Sequence, residues 1–261
     1  MECHFDPSLV KRYHSRSQCI RILTESWVQT HMYCPRCGHA ELNHCPNNQA
    51  VADFYCPQCG NEYELKSKSG LPGHKIADGA YETFIQRITS DRNPDFFILS
   101  YDPNALCVTH FWIVPKHFFV PRIVEKRKPL GTNAKRAGWV GCNILFDEIP
   151  VQGRITVIQN GMEVSRDIVL NQVRAAERLY TEGLQARGWL MDVLQCINQI
   201  QADIFTLDQV YAFEPVLAER HRSNQHIRPK IRQQLQLLRD RGFLSFLGSG
   251  VYKKAIPGGG G

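Results

Sequence analysis

Three side chains in the first quarter of the chain are of the types that phosphate chemistry requires. Asp53 is followed, after ten intervening residues, by Glu64-Leu65-Lys66. Side chains alternate along a strand, so a strand through this segment turns Glu64 and Lys66 to one face. Asp53 can join them from the neighbouring strand of a hairpin. Two carboxylates can hold Mg²⁺, which prefers oxygen ligands and keeps waters for reaction. The Leu65 carbonyl is a further candidate ligand. Lys66 is placed to orient a water or to stabilise charge on a pentavalent phosphorus. Read alone, the spacing is weak, since a Glu–Lys pair on a strand is often no more than solvated charge. Glu25, in the helical N-terminal segment, is a further acid that could reach the same place.

The spacing of the cysteines is more specific. Cys34-Pro35-Arg36-Cys37 and Cys56-Pro57-Gln58-Cys59 are two CxxC pairs with eighteen residues between them, the pattern of a structural zinc site. Two turns each present two thiolates, and four thiolates close a tetrahedron with no open position for catalysis. Gly38 and Gly60 directly follow the two knuckles. His39, His44 and Cys45 are alternative ligands for one position. Cys3, Cys19, Cys107, Cys142 and Cys196 lie in apolar contexts that suit core positions. The second knuckle stands between Asp53 and Glu64, so it would form the hairpin connection and tie metal to acidic site.

The elements that must position these residues follow from periodicity. Cys19, Ile20, Ile22, Leu23, Trp27 and Val28 mark an N-terminal helix. Strands are expected at 63–68, 96–101, 108–114, 139–144 and 154–159, and a helix at 79–89. Asp102-Pro103-Asn104 and Asn160-Gly161 are the turns. The basic stretch 122–136 reads as a loop. From Val164 the pattern is helical as far as Arg241. The fold class expected is α+β: a mixed sheet flanked by helices with a zinc knuckle inserted, and a smaller C-terminal domain. The division expected is 1–183, 184–255 and a low-complexity tail, 256–261.

In the C-terminal part, Trp189, Leu190, Val193, Leu194, Ile197 and Ile200 form one apolar helical stripe. Thr206 and Gln209 make a capping box. Ile227, Ile231, Leu235 and Leu238 line a third helix whose other faces carry Arg228, Lys230, Arg232, Arg239 and Arg241. Phe243–Phe246 and Val251–Lys254 flank a Gly-Ser-Gly turn. Three helices and a hairpin make a winged helix, with the basic helix in a major groove and Lys253 and Lys254 on phosphates. Pro215 is awkward in such a helix, and Pro229 is tolerable only where one begins.

The 261 residues carry 31 Lys and Arg against 25 Asp and Glu, a net charge of +6. That mild excess suits a phosphate-rich partner without demanding one. There is no charged-then-apolar leader and no apolar run of about 18 residues. A cytoplasmic protein without membrane attachment is the expectation, and nothing indicates an obligatory protein partner. Ten cysteines in that setting point to metal or burial rather than to disulfides.

The order of these features resembles one family. Two knuckles enclose Val51-Ala52-Asp53-Phe54-Tyr55, and Glu64-Leu65-Lys66-Ser67-Lys68 follows. Arg136-Ala137-Gly138-Trp139, Gly141-Cys142-Asn143-Ile144 and Ile231-Arg232-Gln233-Gln234-Leu235 come in turn. From near residue 2 to about residue 254 the chain is similar to the DpnI family of methyl-directed type II restriction endonucleases, with a PD-(D/E)xK catalytic domain and a C-terminal winged helix. The resemblance implies cutting of double-stranded DNA within GATC sites that carry N6-methyladenine, with each domain reading the methylated sequence. It implies Asp53, Glu64, Leu65 and Lys66 as the catalytic set, Mg²⁺ on Asp53 and Glu64, and structural Zn²⁺ on Cys34, Cys37, Cys56 and Cys59. Trp139 becomes a wall of the methyl pocket, with Lys135, Arg136, Arg228, Lys230, Arg232 and Lys253 as DNA contacts. It also implies a role in defence against methylated foreign DNA. Two other readings stay open: a nuclease indifferent to methylation, and a zinc-ribbon winged-helix regulator without catalysis.

Overall fold

The computed structural model describes residues 1–45, 52–71, 73–90 and 92–255. Val51 and the tail at 256–261 lie outside the described residues. The protein is α+β, built on a mixed sheet of seven strands.

Helix α1 (Arg16–His31) packs Leu23, Trp27 and Val28 inward. Strands β1 (Asn43–His44), β2 (Phe54–Tyr55) and β3 (Glu62–Ser69) run antiparallel, with Phe54 opposite Tyr63. The chain then leaves the large sheet through β4 (Lys75–Ala80) and α2 (Tyr81–Ile88). It returns as β5 (Asp95–Asp102), parallel to β3, with Glu64 beside Phe96 and Lys66 beside Ile98. Strand β6 (Cys107–Val114) follows β5 as an antiparallel hairpin, its turn held by Asp102 Oδ1 accepting from the amides of Asn104 and Ala105.

Two of these elements were not legible as such. The helix expected at 79–89 begins only at Tyr81, because Lys75–Ala80 pairs as an edge strand. The stretch expected to be a loop from Arg122 starts instead with a 3-10 turn at Pro121–Ile123 and strand β7 (Val124–Lys126). Ile123 and Val124 are buried there, so local basicity hides two core positions. Strand β8 (Gly141–Leu145) lies between β4 and β7 in a second, three-stranded sheet. Strands β9 (Ile155–Gln159) and β10 (Met162–Glu163) complete the large sheet, joined through Asn160 and Gly161 in the left-handed conformation.

The core of the large sheet is aromatic. Tyr63 and Phe97 stack at 4.4 Å on one face, and Phe97 meets Phe111, which meets Trp27 of α1. On the other face Phe96 packs against Phe119 and Phe84 of α2. Helix α3 (Arg166–Glu177) buries Val169, Val173 and Ala176. Of the five cysteines assigned to the core, Cys142 and Cys196 are buried, whereas Cys3, Cys19 and Cys107 are only half-buried.

The C-terminal part runs α4 (Leu184–Gln199), β11 (Ile204–Thr206), α5 (Leu207–Tyr211), α6 (Glu214–Arg220), α7 (Ile227–Asp240), β12 (Leu244–Gly248) and β13 (Val251–Lys254). The stretch expected to be helical is broken into four helices here, and one strand lies between them. Phe205 lies in β11, which adds a third strand to the β12–β13 hairpin. The Thr206 and Gln209 capping box then starts α5. Pro215 occupies the first turn of α6, where no intrahelical bond is lost, so it separates two short helices rather than kinking one. Pro229 likewise falls in the first turn of α7.

A buried carboxylate joins α4 to its surroundings. Asp192 accepts from Arg220 at 3.2 Å and meets His221 Nε2 at 2.9 Å, and it forms an ion pair with Arg122 at 2.7 Å. Among the described residues no helix is long and apolar enough to cross a membrane.

Candidate active site and zinc centre

The zinc candidates converge. The sulfurs of Cys34, Cys37, Cys56 and Cys59 all lie within 4.8 Å of one another, and Cys34–Cys59 and Cys37–Cys56 are each 3.6 Å apart. A tetrahedron with Zn–S near 2.3 Å has edges of about 3.8 Å, so the arrangement is compatible with structural zinc. Each knuckle closes with a backbone bond, Gly38 to Cys34 at 2.8 Å and Gly60 to Cys56 at 2.9 Å. Both glycines have positive φ, +81° and +70°. Burial pushes the Cys34 thiol above its ordinary range, so a cation is what would make its thiolate tolerable there. Tyr63 Oη lies 3.1 Å from the same sulfur, which links the knuckle to β3. His39, His44 and Cys45 are not part of the four-sulfur cluster.

The cluster's second knuckle is the connection between β2 and β3, and the acidic residues stand on those strands. Asp53 lies one residue before β2, and the antiparallel register puts it abreast of Glu64. Its Oδ2 accepts a 2.7 Å hydrogen bond from the backbone N–H of Leu65. Asp53 is thus fixed to the strand at Leu65, rather than through the Glu64 carboxylate.

Glu64 and Lys66 do share a face and touch, with 2.5 Å between Nζ and Oε1. Two residues that the sequence did not single out complete the group. Arg87 of α2 reaches Glu64 Oε2 at 2.8 Å, and Asp78 of β4 accepts from Lys66 Nζ at 2.6 Å. The order Arg87–Glu64–Lys66–Asp78 is charge-balanced and largely buried, with Lys66 and Arg87 each 17% exposed. Burial pushes the Glu64 carboxyl up, while Lys66 and Arg87 pull it back. Burial works against the Lys66 ammonium as well, but Glu64 and Asp78 together outweigh it and hold it above the usual lysine range. Arg87 also lies over the rings of Phe84 and Phe96, which fix its stem. No local pattern could have revealed Asp78 or Arg87, because the crossover that carries them is placed by packing.

Glu25, on α1, is half-buried and paired with Arg21 at 2.8 Å. Its carboxyl is pushed up by burial and further by the nearby charge of Asp53. It therefore belongs to the surroundings of Asp53.

Trp139 ends the loop between β7 and β8 and is half-exposed, so it is not a core tryptophan. Its six-membered ring lies flush on Gly141, where a Cβ would come within 2.7 Å of Cη2 and Cζ3. The Arg136 guanidinium covers the ring at 4.7 Å, and Lys135 is exposed in the same loop. Of the winged-helix residues, Arg228 pairs with Glu214 at 2.7 Å and lies over Tyr211 at 4.9 Å. Arg232 also meets Tyr211, Lys230 is half-buried, and Lys253 is exposed on β13.

Residues 1–182 match the model of the DpnI Dam-replacing family, and residues 185–254 match that of the Dam-replacing HTH domain. The chain belongs to the DpnI family. Membership makes it a nuclease of a group of methylation-dependent restriction endonucleases, with a DNA-binding winged HTH domain at its C-terminus. The cysteine cluster and the acidic group on β3 both fall inside the first DpnI match, and Arg228 to Lys253 inside the second.

Proposed function

We propose that this protein is a Mg²⁺-dependent type II restriction endonuclease that hydrolyses phosphodiester bonds in double-stranded DNA at GATC sites carrying N6-methyladenine. The observation that carries the reading is the meeting of Glu64 and Lys66 on one face of β3, with Asp53 hydrogen-bonded to the residue between them.

The donor set fits Mg²⁺. Within a strand the N–H and C=O of one residue face the same side. The Leu65 carbonyl therefore opens on the side of its N–H, where Asp53 lies, away from β5. Asp53, Glu64 and that carbonyl are hard oxygen donors on adjoining strands. When bound there, Mg²⁺ supplies Lewis-acid stabilisation of the phosphate and lowers the pKa of an attacking water. Lys66 contributes a buried ammonium, which is worth most as charge develops on the phosphorus. Arg87 holds the Glu64 carboxylate against α2. The zinc site fixes the turn that brings Asp53 and Glu64 abreast, so it acts through the fold.

Specificity for the methyl group falls to Trp139, backed by Gly141 and covered by Arg136, with Lys135 beside it on phosphate. Burying one methyl contributes only about 0.8 kcal/mol, roughly fourfold in affinity. Sharper selection requires that the unmethylated base leave an apolar wall badly hydrated. The winged helix adds a second reading of the site, with Arg228, Lys230 and Arg232 of α7 towards the major groove and Lys253 on phosphate.

The test is a digest of one plasmid prepared with and without N6-methyladenine at GATC, in Mg²⁺ and in EDTA. Cutting of the methylated plasmid alone, and only with Mg²⁺, is the expected result. Equal cutting of both plasmids would leave a nuclease and remove the methyl reader.

A further inference from the structure

Lys66 is held by two carboxylates of different standing. One is Glu64, at 2.5 Å; the other is Asp78, at 2.6 Å. A divalent cation held by Glu64 would repel the neighbouring Lys66 ammonium. Lys66 then needs an anion that does not move with the metal. Asp78 has that position. It stands on β4, in the second sheet, where its backbone pairs with Cys142 of β8. Its side chain is only 4% exposed. Its Oδ1 accepts from both Lys66 and the Gly79 amide, whereas its Oδ2 is buried and has no hydrogen bond among the described residues. Apart from Lys66 itself, what holds Asp78 lies outside the β2–β3 hairpin: its backbone pairing with β8 and the Gly79 amide.

We infer that Asp78 is a positioning residue for the cleavage reaction, anchoring the Lys66 ammonium at the scissile phosphate from a strand outside the metal-holding hairpin. The inference rests on the proposed nuclease reading and deepens it. Glu64 and Asp78 divide the work: the first serves the metal, and the second keeps the lysine extended while Glu64 is engaged. A displaced catalytic group is costly, since an error of about 1 Å can lower a rate a hundredfold.

The experiment compares zinc-loaded, full-length wild type with Asp78→Asn and Asp78→Glu. Single-turnover cleavage of a methylated GATC duplex is measured in Mg²⁺, and Mn²⁺ binding to the free protein is followed by calorimetry. Asp78→Asn is expected to cut roughly ten- to a hundredfold more slowly, with Mn²⁺ affinity within about twofold of wild type. Asp78→Glu, which keeps the charge, recovers part of the rate. Cleavage by Asp78→Asn within about twofold of wild type would overturn the inference. A parallel loss of Mn²⁺ affinity, with the rate restored by excess Mg²⁺, would overturn it too, because Asp78 would then be a metal ligand.

Melting temperatures cover the case in which Asp78→Asn folds poorly. Asp78→Asn leaves Lys66 and Arg87 to share one carboxylate, Glu64; Lys66→Met removes the excess cation, and Glu64 keeps Arg87. The Lys66→Met/Asp78→Asn double variant should therefore melt above Asp78→Asn alone. Additive losses would show that Asp78 does not act through Lys66. Should wild type itself fail to cut methylated DNA, the nuclease reading falls, while the melting comparison still reports on the Asp78–Lys66 pair.

Discussion

Asp53 Oδ2 accepts a 2.7 Å hydrogen bond from the backbone N–H of Leu65, the residue between Glu64 and Lys66. The relationship makes Asp53 part of the frame of β3 as well as an acid on its surface. A carboxylate bound to a backbone amide is a charge-assisted bond, stronger than its neutral counterpart.

Asp53→Asn should therefore do two separable things. Cleavage of methylated DNA should be abolished, and binding of the same duplex in Ca²⁺ should survive. Stability should fall by about 1–2 kcal/mol, the scale of a weakened hydrogen bond to a charged group. Gel-shift and urea unfolding measurements check the two effects. Retained cutting would remove Asp53 from the catalytic set.

Removal of zinc should act through the same hairpin. Cys37→Ser, or prolonged chelation, should release one equivalent of zinc by elemental analysis and lose cleavage together with thermal stability. The Cys56–Cys59 turn joins β2 to β3, and so lies on the stretch of chain between Asp53 and Glu64. A protein that lost its zinc and kept full activity would separate the two sites.

Gly141 supplies a test of Trp139 that leaves the tryptophan in place. A Cβ at Gly141 would approach the Trp139 ring to 2.7 Å, so Gly141→Ala must displace it. Both Gly141→Ala and Trp139→Ala are expected to reduce the preference for methylated over unmethylated GATC, by at least the roughly fourfold that one buried methyl provides. Cleavage rates on paired duplexes measure the ratio. An unchanged ratio in both variants would assign methyl reading elsewhere.

Much of this site was legible from spacing. CxxC pairs and an Asp–Glu–Lys set are local patterns, and period-two alternation alone puts Glu64 beside Lys66. The capping box at Thr206 and the turns at Asp102 and Asn160 are local as well. What spacing could not show is set by contact between distant segments. Asp78 and Arg87 look like ordinary surface charges until β4 and α2 fold across β3. Ile123 and Val124 sit in a basic stretch and become core only because β7 finds β8. Phe205 reads as the approach to a helix until β13 pairs with it.

Acid stability follows from His117, which is buried and has Nε2 2.9 Å from the carbonyl of Ala176 on α3. Burial lowers its pKa from 6.5 to about 4. Because the folded value is the lower one, the contribution to stability is complete above the unfolded pKa and is lost as pH falls from about 6.5 towards 4. A shift of this size corresponds to about 3 kcal/mol over that window. His117→Gln should lose less stability than wild type between pH 7.5 and 5, as read by chemical denaturation. Asp95, whose carboxyl is raised by burial, acts in the opposite sense in both proteins and cancels in the comparison. Parallel curves would show that His117 does not titrate in this range.

Whether the group on β3 cuts DNA, and whether the methyl mark decides which DNA, can be read in one experiment. One short GATC duplex is prepared fully methylated and unmethylated at adenine N6. Each is mixed with excess protein in Mg²⁺, and single-turnover rates are recorded. The expected result is rapid cleavage of the methylated duplex, none without Mg²⁺, and a rate on the unmethylated duplex lower by at least about tenfold, on the order of two buried methyls. Equal rates on the two duplexes, or cleavage that persists in EDTA, would contradict it.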